Sequence, residues 1–139
     1  MQLAVPGARD TISFEVPVVA QRCGPGHGLL LHGEQDGVGV LVWLRDSVPP
    51  DTGAYPLVSR GDTATARGAI AAVRFLMGQL ARGVTVDDGS LTLTRARAPF
   101  ALRARGRGVE TALAQQRVVE LTIDGVPLLP DTTPCLVEP

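Results

Sequence analysis

Few side chains in this 139-residue chain are equipped for chemistry, and they fall into a small number of groups. Cys23, His27 and His32, with Glu34 and Asp36 just beyond, form a cysteine-and-histidine cluster. Thiolate and imidazole are zinc ligands, but a zinc site draws on a second Cys-x-x-Cys or His-x-x-x-His half, and none follows. A disulfide to Cys135 would also take Cys23 out of any ligand set. These residues read as loop and strand-end groups, solvated or hydrogen-bonded, and no metal or other cofactor is expected.

The second group is cationic. Arg95, Arg97, Arg103, Arg105 and Arg107 place five Arg within thirteen residues, the last three on one face of a strand. Guanidinium forks suit phosphate, sulfate and carboxylate, so an anionic ligand is one reading. The other is a solvated sheet face laced by cross-strand pairs to Glu110, Glu120 or Asp124. No aromatics interleave with these arginines, which argues against single-stranded nucleic acid.

Catalytic groupings are thin. There is no Gly-x-Ser-x-Gly elbow, and four Ser and two His carry no triad motif. Asp46 and Asp51 sit in a Pro-rich loop without the cues of an acid/base pair. Gly24-Pro25-Gly26-His27-Gly28 is Gly-rich but lacks the Lys of a phosphate-binding loop. Arg60-Gly61-Asp62 spells a cell-adhesion tripeptide, a match short enough to arise by chance. Asp87-Asp88-Gly89 supplies too few oxygens for calcium and reads as a tight turn. The chain is read as non-catalytic.

Composition sets the frame for these groups. All 13 basic residues are Arg and there is no Asn, a bias of the kind a GC-rich genome produces. Against 14 acidic residues the net charge is -1, which points to neither nucleic acid nor a membrane surface. No apolar run approaches the roughly 18 residues of a membrane-spanning helix. Aromatics are only 4%, yet the mean hydropathy is +0.17. A positive mean in a small domain points to apolar surface covered by a partner, a ligand or a membrane face, or else reflects the 16 Gly and many Ala that raise the score.

The elements that must position these residues are strands. Short alternating segments separated by turn signals every ten residues or so predict an all-β domain spanning residues 1–139, a sandwich of about seven to nine mostly antiparallel strands. Residues 1–9 and 126–139 are read as extended terminal segments. Thr11 to Val16 alternates cleanly, and Pro17 marks an edge or bulge. Asp36-Gly37 is the strongest hairpin signal. Val38 to Leu44 is apolar on both faces and predicts a central strand, covered from both sides or partly facing a partner. Residues 46–66 read as loop with one short strand near Tyr55.

Arg67 to Arg82 supports two periodicities. Ile70, Val73, Leu76, Met77 and Leu80 have helical spacing, whereas Ala69, Ala71, Val73, Phe75 and Met77 alternate as a strand. Gly68, Gly78, Gly83 and the flanking strands favour the strand. Thr85 to Thr94 reads as a hairpin or strand-turn-strand, and the strands at Phe100 and Val119 are plain.

The run from Arg82 to Pro127 resembles small exported bacterial β-sandwich domains of the lipoprotein-borne kind. The resemblance rests on Gly83-Val84-Thr85-Val86-Asp87-Asp88-Gly89-Ser90-Leu91-Thr92-Leu93-Thr94, on the alternating Phe100-Ala101-Leu102-Arg103-Ala104-Arg105-Gly106-Arg107-Gly108, and on a final apolar strand. It implies fold and compartment, and no activity.

Compartment also follows from the cysteines. Cys23 and Cys135 flank loop formers near the two ends, and stapling a β domain this way is a habit of exported proteins. Met1 to Gly7 lacks the pattern of a signal peptide, so the reading is an exported protein in mature form, with a cytoplasmic one as the alternative. The expected function is a structural or interaction module, a subunit of an oligomer, filament or envelope complex. Its partner would be another copy or another surface protein, met through Val38, Val40, Val42, Trp43, Leu44, Ile70 and Leu76. The alternative is a ligand-binding domain for a carbohydrate or anion on the Arg-rich face.

Overall fold

Period-two alternation of apolar and polar side chains runs through most of the chain, and it dictates extended backbone with one face buried. A computed structural model describes residues 2–6, 11–15, 17–24, 27–35, 37–46, 48–59, 67–77, 80–110 and 116–135. The strands are β1 (Gln2–Pro6), β2 (Thr11–Glu15), β3 (Val19–Arg22), β4 (Leu29–Gln35), β5 (Val38–Arg45), β6 (Gly53–Pro56), β7 (Gly68–Met77), β8 (Leu80–Arg95), β9 (Phe100–Glu110) and β10 (Gln116–Val126). Among the described residues there is no helix.

The all-β expectation stands, but the pairing runs through one sheet instead of dividing into two. Its order is β2-β1-β10-β9-β8-β7-β5-β4-β3, every pair antiparallel, with β6 added on β8. The sheet curls into a half-barrel. Long strands make this topology workable: β8 has 16 residues, and β9 and β10 have 11 each. A strand of that length can follow the curl and present one end to each wall.

The ambiguous segment resolves as strand. Ala69, Ala71, Val73 and Phe75 are buried on the inner face of β7, which lies between β5 and β8. Ladders on both sides satisfy its backbone groups, and that outweighs the helical spacing of its apolar residues. The short strand expected near Tyr55 is β6. The expected hairpin joins β4 to β5, where Gln35 faces Val38; Asp36 itself lies outside the described residues.

Asp87-Asp88-Gly89 does not make the tight turn its composition predicts. β8 continues through it with a register shift between Val86 and Asp88. Before this point β8 pairs with β7, after it with β6, and Leu57 N donates to Gly89 O at 2.9 Å. Gly89 has φ +128° and faces Gly106 across the ladder. A Cβ on Gly89 would lie 2.3 Å from Arg105 O, and one on Gly106 would lie 2.3 Å from Asp88 O. The two glycines let β8 and β9 come together where β8 changes partner, and β6 fills the opening as a wedge.

The inner face collects one core, with Leu29, Leu31, Leu44, Phe75, Leu91, Phe100 and Leu121 among its fully buried side chains. Each such side chain contributes about 1.5–3 kcal/mol relative to exposure. After β10 the chain crosses the open side of the half-barrel. Ala20 N donates to Pro127 O at 2.9 Å, Leu129 N to Ala20 O at 2.8 Å, and Thr133 N to Arg22 O at 3.0 Å. Residues 127–135 thereby lie parallel to β3, the far edge of the sheet.

Cys23 and Cys135 complete this strap. Their sulfurs stand at disulfide distance, with the Cα atoms 5.3 Å apart and a sequence separation of 112. In the chain-entropy model a loop of this length contributes about 5 kcal/mol. Thiol titration of the denatured, unreduced protein should therefore find no free sulfhydryl. The Cys135→Ser variant should lose several kcal/mol in denaturant unfolding, and an unchanged midpoint would rule out the strap as a stabilising element.

Candidate functional site

Two outer faces of the sheet concentrate the residues singled out in the sequence, and each follows from which way a strand points its side chains. On β5, Val38, Val40, Val42 and Leu44 point inward and are buried. They belong to the core and offer no surface. The same strand's other face carries Leu41, 36% exposed, and a half-buried Trp43. The central strand is thus covered closely on one face only. Ile70, the cross-strand partner of Trp43, is fully buried although it lies on the outer side of β7. Leu76 stands in β7 opposite Ala81, and its side chain lies outside the described residues.

Register turns these residues into a row. His32, Leu41, Ala72, Thr85 and Val109 face one another in succession across β4, β5, β7, β8 and β9. Leu41 and Val109 are both exposed large hydrophobics, Val109 at 47%. Beside the row, Arg74 Nη2 meets Glu34 Oε1 at 3.3 Å over Gly39. Because Gly39 has no side chain, a depression of about 360 Å³ opens there, lined by His32, Glu34, Leu41, Ala72 and Arg74 among others.

Trp43 occupies a position no sequence pattern discloses. Trp43 Nε1 and Cys23 Sγ lie 3.1 and 2.9 Å from the point where a Cβ on Gly28 would sit. The indole therefore packs beside the disulfide, and its N–H is buried with no hydrogen-bond partner among the described residues. Tyr55, by contrast, is fully buried in the core. The two residues do not form the aromatic groove that a stacked sugar would need.

The arginines occupy the second face. Arg103, Arg105 and Arg107 all point outward from β9 and are exposed, as are Arg95 and Arg97. Arg105 Nη1 pairs with Glu120 Oε1 at 3.1 Å on β10, one of the cross-strand pairs expected there. Arg107 stands opposite Asp88, and Arg103 stands between Thr92 and Thr122. Glu110 cannot join this network, because it is the inward-facing end of β9 and fully buried.

The cysteine-and-histidine cluster is spread over separate partners. Cys23 is bonded to Cys135, His32 Nε2 lies 2.9 Å from Gln21 Oε1, Glu34 meets Arg74, and His27 is exposed. Among the described residues no group of three metal-ligand side chains converges. Arg60, Gly61 and Asp62 lie outside the described residues, as do Pro25 and Gly26. Among the described residues no helix is long and apolar enough to cross a membrane.

No protein-family model, curated protein or solved structure matches the chain. The functional reading therefore rests on the geometry of these two faces.

One polar cluster went unread in the sequence because its members are 21 residues apart. Arg67 Nη1 donates to Asp46 Oδ2 at 2.8 Å, and Nε donates to Ala54 O at 3.1 Å. The guanidinium lies 3.9 Å from the centroid of the Tyr55 ring, and Tyr55 Oη donates to Asp51 O at 3.3 Å. The Asp46 carboxylate is almost buried, so the pair is shielded better than a surface one. Together these contacts tie the loop after β5 and the wedge β6 to the start of β7. Arg67→Ala should cost about 1–3 kcal/mol through the lost charge-assisted bonds and the cation–π contact. Hydrogen exchange should quicken first at residues 53–57; a uniform change along the chain would argue against a local clamp.

Proposed function

We propose that this protein is an exported, non-catalytic structural module that assembles with further copies of itself through the outer face of β4, β5 and β7. The observation carrying this reading is the outer face of β5 and β7, where exposed Leu41 stands opposite Ala72 and next to the half-buried Trp43, over the depression that Gly39 leaves. Exposed apolar side chains cost free energy in water and gain it when covered.

A second copy is the occupant that suits the surface. The row is flanked by Arg74 and Glu34, one charge of each sign, both well exposed. Under a twofold axis such a face is self-complementary, since Arg74 of one copy can reach Glu34 of the other. Export is supported by the cysteine pair at disulfide distance, a bond that persists in oxidising compartments.

Light scattering across a wide concentration range should show an oligomer. Leu41→Glu should weaken it roughly thirtyfold or more, the scale of an interface anchor, with the β-sheet circular dichroism unchanged. A wild-type protein that stays monomeric at millimolar concentration would overturn the assembly reading.

A further inference from the structure

The Arg-rich face lies on β8, β9 and β10 and meets the row just described at Val109, two residues from Arg107 on the same side of β9. It carries a second inference that does not depend on self-assembly. We infer that this face binds a linear acidic polysaccharide laid along β9. Three observations support it. Arg103, Arg105 and Arg107 alternate along one exposed strand face, so their Cα atoms recur at about 6.7 Å. Hydroxyl groups flank the same rows: Ser90 faces Arg105, and Thr92 and Thr122 stand on either side of Arg103. Finally, the row of Arg103 has no carboxylate opposite it, and beyond it Arg95 and Arg97 extend the cationic surface from the end of β8.

The carboxylates present set the ligand's placement. Glu120 engages Arg105, and Asp88 stands opposite Arg107, so these two guanidinium groups are partly offset. Asp51 shares a depression with Arg95 and Arg97, and Asp124 is exposed on β10 two residues beyond Thr122. Arg103 faces only threonines across both ladders and is the cation best placed to meet a ligand's charge, with Arg95 and Arg97 beside it. A sugar polymer bearing carboxylate or sulfate groups offers anions for those guanidinium forks and hydroxyls for Ser90, Thr92 and Thr122. The chemistry is that of charge and hydrogen bonding, with no ring stacking, because Tyr55 is buried and Trp43 lies on the other wall. Nucleic acid fits less well. Single strands lack an aromatic platform here, and the duplex is left to the test below.

The test uses the full chain with three probes at low ionic strength: heparin for sulfate groups, polygalacturonate for carboxylates, and duplex DNA. At least one polysaccharide should bind, and which one binds identifies the anion. The Arg95→Gln/Arg103→Gln double variant should bind it about tenfold or more weakly, whereas Arg74→Gln, on β7 and outside the Arg-rich strands, should bind like wild type. All three positions are exposed, and unchanged thermal melting of each variant verifies the fold. No binding to either polysaccharide, tighter binding to DNA, or equal loss in the Arg74 variant would each overturn the inference. Because Leu41→Glu should leave polysaccharide binding intact, failure of the assembly reading and failure of this one are separately visible.

Discussion

Closure of the curled sheet is the constraint on which the rest of this structure depends. A sheet that curls without meeting itself leaves two edge strands, here β2 and β3, and one side of its core exposed to water. Here the chain that leaves β10 returns across that opening, hydrogen-bonds to β3 and ends its described course at Cys135, beside Cys23. The strap covers the β3 edge, and the sulfur pair holds the strap in place. Without it β3 would be a bare edge, and the core beneath it would lose one wall.

The curl has its own local cause. β8 keeps one partner, β9, along most of its length and exchanges the other at Asp87–Gly89. Two facing glycines permit the close approach there, and β6 closes the gap between the diverging strands. The Arg67–Asp46–Tyr55 cluster then fixes that wedge from the side. Curvature, wedge and strap form one mechanical arrangement, in which each element covers backbone or core that another leaves open.

The two outer faces inherit their positions from this arrangement. Alternation along β5 and β9 sends one set of residues inward and the other outward, and register aligns the outward sets across strands. The same rule places Leu41 with Val109 and gives Arg103 a threonine on either side. A shift of one residue in any of these ladders would bury the arginines and expose the core.

Much of the fold was legible in local sequence. The alternation in Thr11–Glu15, Phe100–Glu110 and Val119–Ile123, the Asp36-Gly37 connection and the short strand at Tyr55 are all carried by residues close together in the chain. Period two also favoured the strand at Gly68–Met77, though helical spacing competed with it. By contrast, Val38–Leu44 looks apolar on both faces, and only the folded sheet shows that Val38, Val40, Val42 and Leu44 fill the core while Leu41 and Trp43 face outward. Asp87-Asp88-Gly89 has a turn's composition but serves as a bulge, because neighbouring strands supply the pairing that composition cannot announce.

The sequence by itself determined the class of object: an all-β chain with balanced charge, its arginines grouped between Arg95 and Arg107 and its two cysteines placed near the ends. Those properties follow from residue type and short-range period, which a linear reading can count. Tertiary structure alone decided that one sheet forms, that it curls, and which residues share a row. Such matters depend on pairing between strands far apart in sequence, where hydrogen-bond register and close backbone approach select one arrangement among many that the same alternation allows.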